Sequence, residues 1–159
     1  MNPRVYIETT FVSYLTARPS RDLIIAAHQQ LTHEWWDTCR EKFELCASQL
    51  VLKEASAGDP EAARLRIEVL TPMTMLDIID PATDLAELLV KAGALPPNAQ
   101  ADALHVAIAA SHGIPYLLTW NCRHLANAVM RPLIESVCSQ MRLVAPIICN
   151  PEELMGTKP

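Results

Sequence analysis

Short apolar stretches rich in β-branched residues alternate along this chain with longer segments whose apolar residues recur at helical spacing. The short stretches predict strands over residues 4–9, 43–47, 73–79, 116–119 and 143–148. The longer segments predict helices over residues 22–41, 48–57, 60–70, 81–92, 99–111 and 123–139. Because short strands alternate with helices, we expect an α/β domain whose mainly parallel sheet has helices on both faces.

Several residues predict where the helices begin, bend or bury a face. Ser20, Ser48 and Asn98 are expected to be N-caps, because their side chains accept hydrogen bonds from free helical N–H groups. Pro132 is expected to kink the last helix. The helix over residues 22–41 is predicted to bury the face that carries Ile24, Ala27, Leu31 and Trp35.

The helix over residues 99–111 is apolar on almost every side, which predicts that it is central and buried. Neither a repeat nor an interdomain linker divides the chain. We therefore expect a single domain over residues 1–149, followed by a flexible tail over residues 150–159.

Four side chains with acceptor oxygens fall where the carboxyl ends of the predicted strands should meet. Glu8 ends the first strand, Glu54 lies on the helix after the second, Asp102 lies in the first turn of the buried helix, and Asn121 follows the fourth strand. Ligands of such sheets bind outside these strand ends. Alternatively, Glu8 and Glu54 are surface residues, Asp102 pairs with Arg or Lys or lies on the surface at a helix start, and Asn121 caps a turn.

Asp102 is the most informative of the four, because a lone carboxylate in an apolar helix is costly unless it has a partner. A cation would also relieve the repulsion among clustered carboxylates. Oxygen ligands suit Mg²⁺ or Mn²⁺, so the sequence favours a site for one of these metals.

Composition changes this picture in two ways. The 159 residues have a formal net charge of −5, and phosphate affinity comes mostly from Lys and Arg, so binding of nucleic acid would need a local basic patch or a bound metal. The five cysteines are scattered and form no Cys-x-x-Cys pair, which is typical of thiols in a reducing cytoplasm. With no long apolar run and no basic leader, we expect a cytoplasmic protein without a membrane segment.

Three segments resemble PIN-domain proteins, including the VapC toxins of bacterial toxin–antitoxin pairs: VYIETTFVSYL, SQLVLKEASAGDPEA and ADALHVAIAASHGIPYLLTWNCRHLAN. Their order and mutual spacing match, and together they span most of the chain. The resemblance implies a three-layer α/β/α sandwich with a central sheet of four or five short strands. It also implies an acidic cluster that binds Mg²⁺ or Mn²⁺ and cuts RNA.

Carried over residue by residue, the resemblance implies that Glu8, Glu54 and Asp102 hold the metal and that Asn121 completes the catalytic set. The hydroxyl groups that support the acids would come from Thr9, Thr10 and Thr119. The chain departs from the family pattern at two positions, because Glu8 replaces an aspartate and the fourth position is the neutral Asn121. Both changes predict weaker or altered metal affinity.

The candidates for substrate contact are the histidines and cations near the expected site: His105, Arg123, His124, Arg18, Arg21 and Lys53. For His105, packing inside the helix layer is the favoured alternative, and His124 and Arg123 equally fit a plain helix start.

The function expected from these features is a metal-dependent endoribonuclease, with RNA as its substrate. The resemblance further implies a homodimer and a small antitoxin protein, which would contact the helix over residues 22–41 and a patch of Phe11, Tyr14 and Leu15. Glu8, Asn121 and the negative charge favour the alternative, a PIN-like module that binds RNA or protein without cutting. A 5′-nuclease acting on DNA ranks last, because the chain lacks room for additional DNA-binding elements.

Overall fold

The computed structural model describes residues 1–156 of the chain. Its five strands and seven α-helices follow one another as β1 (Arg4–Ile7), α1 (Thr9–Thr16), α2 (Leu23–Cys39), β2 (Glu44–Ser48), α3 (Gln49–Ala55), α4 (Pro60–Leu70), β3 (Thr74–Leu76), α5 (Asp80–Lys91), α6 (Gln100–Ser111), β4 (Tyr116–Leu118), α7 (Arg131–Gln140) and β5 (Ile147–Cys149). A 3₁₀ turn over Arg40–Lys42 joins α2 to β2. The alternation predicted from the sequence is confirmed.

The five strands form one sheet in the order β3-β2-β1-β4-β5, and every neighbouring pair is parallel. The chain starts in the middle with β1, adds β2 and β3 on one side, and then crosses to add β4 and β5 on the other. The order reverses at β1, so the crevice for ligands of such sheets lies at the carboxyl end of this strand. Helices flank the sheet, and the three-layer α/β/α architecture is confirmed.

Helix α6 is the central, buried helix that its composition predicts. Residues 105–109 are fully buried, and the core around them includes Tyr6 of β1 and Leu117 of β4. Trp35 of α2 is also fully buried, as predicted from its helical spacing. The only charged side chain in the first turn of α6 is Asp102, which therefore lies between the core and the surface.

The segment after β1 differs from the prediction. The strand ends at Ile7 and not at Thr9, because the Glu8 side chain accepts a hydrogen bond from the backbone N–H of Thr10 and caps α1. Helix α1 includes the apolar stretch from Phe11 to Leu15, whose burial leaves only Tyr14 partly exposed among the three residues of the predicted patch.

Two predicted N-caps are wrong, and one is confirmed. Helix α2 is capped by Asp22, whose Oδ1 accepts from Ile24 N and Ile25 N. Ser20 Oγ accepts from the backbone N of Asp22, which precedes the helix. Helix α6 begins after Ala99 without a side-chain cap, so Asn98 is not its cap. Ser48 caps α3 as predicted, with Oγ 3.3 Å from Val51 N.

The apolar start of α2 faces solvent. Leu23 is 87% exposed and Ile24 is 70% exposed. Ala27 is exposed as well and Leu31 is half-buried, so Trp35 alone of the predicted face is fully buried. The polar side chains of Gln29 and Thr32 are buried instead, and each is hydrogen-bonded.

The last predicted helix is shorter than expected. Residues 123–130 form turns, and α7 starts at Arg131 with Pro132 in its first turn. A proline lacks the N–H group that is unpaired there anyway, so Pro132 starts this helix and does not kink it.

Part of the predicted tail packs against the domain. Residues 151–155 form turns, and Leu154 and Met155 contact the hydrophobic core. Residues 157–159, the rest of the predicted tail, lie outside the described residues. Within residues 1–156, every helix is too short or too polar to cross a membrane.

Candidate active site

Glu8 is an almost fully buried carboxylate at the carboxyl end of the central strand, with 3% of the residue exposed. Its Oε2 accepts three hydrogen bonds, from the Thr10 backbone N–H at 3.0 Å, from the Thr10 hydroxyl, and from the Thr119 hydroxyl at 2.8 Å. Burial of a carboxylate is tolerated only when such donors replace water. The position of Glu8 at the sheet edge is therefore fixed by the start of α1 and by the end of β4.

The same two threonines tie the loop after β4 to α1. Thr10 Oγ1 accepts from the backbone N–H of Trp120 at 2.9 Å, and Thr119 Oγ1 accepts from the backbone N–H of Asn121 at 2.9 Å. Each hydroxyl thus donates to Glu8 and accepts from the loop. The support predicted for the first acid comes, in geometry, from Thr10 and Thr119.

Glu54 lies beside Glu8 and is held by a different pair of donors. Its Oε1 is 2.6 Å from the Thr9 hydroxyl and 2.6 Å from His105 Nε2, and its side chain is 33% exposed. Burial by itself raises the pKa of Glu54, but the hydrogen bonds from His105 and Thr9 lower it, and the pKa lies below its ordinary value. Glu54 is therefore ionised near neutral pH.

His105 is fully buried on α6, yet both of its ring nitrogens have polar partners. Nε2 contacts Glu54, and Nδ1 is 2.7 Å from the hydroxyl of Tyr6, which in turn lies 2.7 Å from Ser48 Oγ. Burial raises the pKa of the Tyr6 hydroxyl far above its ordinary value, so this group keeps its proton. The favoured alternative of packing is confirmed for His105, but the residue also touches one of the predicted acids.

Glu8, Glu54 and His105 form a group whose ligand-capable atoms all lie within 4.8 Å of one another, the one such group of three found in residues 1–156. Glu8 Oε1 is 3.9 Å from His105 Nε2. Of the three acids predicted to hold metal, the fold brings Glu8 and Glu54 into this group.

Asp102 lies one turn before His105 on α6, outside that group, and pairs with His124. Its Oδ2 is 2.9 Å from His124 Nδ1, and both side chains are 19% exposed. Asn121 positions this histidine, because its Oδ1 accepts a hydrogen bond from the His124 backbone N–H at 3.0 Å. Asn121 therefore caps a turn, the alternative left open by the sequence, while Asp102 pairs with a histidine in place of the Arg or Lys considered there.

The donor atoms of this edge fit a divalent cation. In residues 1–156, Glu8 Oε1 and Glu54 Oε2 accept no hydrogen bond, and neither Lys nor Arg pairs with Glu8, Glu54 or Asp102. Two adjacent carboxylates thus have free oxygens and no permanent cationic partner. Oxygen ligands of this type suit Mg²⁺ and Mn²⁺.

The predicted cationic contacts are on the surface. Arg18, Arg21, Lys53 and Arg123 are exposed, and their side chains form no hydrogen bond or ion pair with residues 1–156. They are free to meet a polyanion, but no contact of the fold joins them to the acidic group.

Sequence reasoning missed two features around this edge. Tyr6 was given no role by the sequence, because its hydroxyl bridge to His105 has no sequence signal. Trp120 stacks on His28 with ring centroids 4.0 Å apart and donates from Nε1 to Thr32 Oγ1 at 2.7 Å, which ties the loop after β4 to α2. The sequence Thr119-Trp120-Asn121 indicates a loop after β4, but it does not indicate the contacts of this loop with α2.

Comparisons with known proteins give a match in structure alone. The chain matches no protein-family model, and it matches no curated protein. Among solved structures it is similar to VapBC2 from Rickettsia felis, which is bound to a DNA fragment from its promoter. The two are 15% identical and align with a TM-score of 0.56, over 92% of this chain and 97% of that one. It is also similar to VapC20 from Mycobacterium tuberculosis, a sarcin-ricin loop cleaving toxin, at 18% identity and a TM-score of 0.55 over 71% of this chain and 86% of that one. These likenesses show that the chain has the PIN-domain fold of VapC toxins.

Proposed function

We propose that the chain is a metal-dependent endoribonuclease of the PIN type. The observation that carries the proposal is the pair formed by Glu8 and Glu54. Two carboxylates from separate elements lie side by side at the crevice of a parallel sheet, and no Lys or Arg in residues 1–156 neutralises them. A structural role alone does not account for this unpaired negative charge.

Glu8, Glu54 and Asp102 would hold Mg²⁺ or Mn²⁺. When bound, such a metal lowers the pKa of a water molecule and offsets charge on a scissile phosphate. Thr10 and Thr119 keep Glu8 in place, and Thr9 does the same for Glu54.

Asn121 and His124 would fix the orientation of Asp102. Asn121 orients His124 through its turn, and His124 holds Asp102. This arrangement would compensate for the neutral fourth position, because Asp102 needs no second carboxylate to fix its orientation.

RNA cleavage with and without metal tests this proposal. Purified protein should cut RNA in Mn²⁺ or Mg²⁺ and stop in excess chelator. Glu54→Gln and Asp102→Asn should each lose activity by about 100-fold or more, because each removes one of the carboxylate charges proposed to hold the metal. Asp84→Asn is the matched control, because Asp84 is an exposed aspartate on α5. This variant should cleave RNA like wild type. Equal activity of wild type and both of these variants would refute the role of the acids.

A second function, an RNA- or protein-binding module that does not cut, is favoured by the net charge of −5 and by the histidines that already occupy Glu54 and Asp102. RNA binding without cleavage in either metal would select it.

The partner that the resemblance implies is a small antitoxin protein, and one structural neighbour is itself the toxin–antitoxin pair VapBC2 on promoter DNA. The exposed apolar side chains Leu23 and Ile24 at the start of α2 are the surface that we expect such a protein to cover. Phe11 and Leu15 are buried and cannot take part. Copurification with the product of an adjacent small gene, lost in Ile24→Asp, would support this partner, and the same experiment with differently tagged copies would test the predicted homodimer.

A further inference from the structure

A continuous line of hydrogen bonds runs through the interior to Glu54. It starts at Ser48 at the end of β2, passes through the hydroxyl of Tyr6 in β1 and both ring nitrogens of His105 in α6, and ends at Glu54 Oε1. Ser48, Tyr6 and His105 are all buried. Three separate elements thus converge on one carboxylate oxygen.

The direction of these hydrogen bonds follows from counting donors. An ionised carboxylate only accepts, so His105 Nε2 donates to Glu54. With a neutral imidazole, Nδ1 then accepts from the Tyr6 hydroxyl, whose oxygen accepts from the Ser48 hydroxyl. Ser48 Oγ in turn accepts from the Val51 backbone N–H. Every hydrogen in the line then has an acceptor.

A charged imidazolium would break this arrangement. Nδ1 would donate to Tyr6, Tyr6 would donate to Ser48, and the Ser48 hydroxyl would have no acceptor among residues 1–156. A buried hydroxyl proton without an acceptor is unfavourable. The line therefore fits a neutral His105 with its proton on Nε2.

We propose that His105 is a positioning residue, held by Tyr6 and Ser48 with its proton on Nε2, and that it fixes Glu54 so that Oε2 remains free for a cation. The metal-binding half of this statement rests on the proposed function. The half that concerns the state of His105 stands on the metal-free protein alone.

The state of His105 is measured first, without metal. Nitrogen-15 NMR of the ring in chelator should show wild-type His105 as the neutral form with the proton on Nε2, with the signal assigned by its loss in His105→Gln. Tyr6→Phe removes one hydroxyl from the middle of the line but leaves Glu54 as the acceptor at Nε2, so the ring should keep this neutral form. A ring that is protonated on Nδ1 in wild type would overturn the assignment.

Titration with Mn²⁺ then measures the effect on Glu54. Mutation of residues that orient a metal ligand costs about 10- to 100-fold in affinity, so His105→Leu should weaken binding within that range and Tyr6→Phe by about tenfold. His105→Gln retains an N–H donor toward Glu54 and should recover much of the loss.

The matched control is Tyr14→Phe on α1, because the hydroxyl of Tyr14 forms no hydrogen bond within residues 1–156. It should bind Mn²⁺ like wild type, and circular dichroism of each variant confirms folding. Tyr6→Phe or His105→Leu with wild-type affinity would overturn the positioning role. Absence of binding in wild type would overturn the proposed function, and the NMR result would then decide the state of His105 by itself.

Discussion

Glu8 and Glu61 are both glutamates at the start of a helix, but their surroundings differ completely. Glu61, in the first turn of α4, has a side chain that is 68% exposed and pairs with Arg64 of the same helix at 2.5 Å. Glu8, the cap of α1, has a side chain that is 5% exposed and receives its hydrogen bonds from neutral donors of two elements. The charge on α4 is neutralised locally, whereas the charge at the sheet edge remains available for a cation.

The largest effect is expected from removing the Glu8 carboxylate. Glu8→Leu deletes a helix cap and leaves the Thr10 and Thr119 hydroxyls without their acceptor, so the free energy of unfolding should fall by about 2–4 kcal/mol. Glu8→Gln keeps an acceptor oxygen for these donors and should stay within about 1 kcal/mol of wild type. Urea denaturation measures both, and an equal loss in the two variants would show that the hydrogen bonds are not what holds this position.

A smaller effect is expected from acid. Because the pKa of Glu54 is lower in the folded protein than the ordinary value of 4.5, its contribution to stability is present above pH 4.5 and is lost as the pH falls through the lower value. In chelator, the stability gap between wild type and Glu54→Gln should narrow as the pH is lowered. Thr9→Val removes one donor to Glu54. In that variant, adding Glu54→Gln should already cost less stability at neutral pH than it does in wild type. A gap that widens on acidification would contradict the sign of the pKa shift.

The smallest effect is expected on α4. Arg64 contacts both Glu61 and Glu68, and all three side chains are more than half exposed. Exposed ion pairs contribute little to stability, so Arg64→Ala should leave the urea midpoint unchanged at low and at high salt. A clear loss of stability here would remove the contrast with Glu8.

The same contrast explains what the sequence could predict. The Ser48 cap was predicted because it is local, with both partners within one helical turn. The parallel sheet and the edge with Glu8 and Glu54 followed from the alternation of strands and helices and from the rule for strand ends.

The remaining features depend on contacts between distant residues. The bond between Tyr6 and His105 joins positions 99 residues apart, and the pair of Asp102 and His124 depends on turns where a helix was expected. Asp22 displaced Ser20 as a cap by only two positions, a choice that sequence preference does not resolve because both residues are good caps. Helix starts and carboxylate partners are therefore where the prediction was least accurate.

The central claim, that the carboxylates at the sheet edge bind a divalent cation, is tested most directly by calorimetric titration of Mn²⁺ into metal-free protein. Wild type and Glu61→Gln should bind alike, while Glu8→Gln and Asp102→Asn should lose binding or be strongly weakened. Equal binding by all four proteins, or no binding by wild type, would contradict the account.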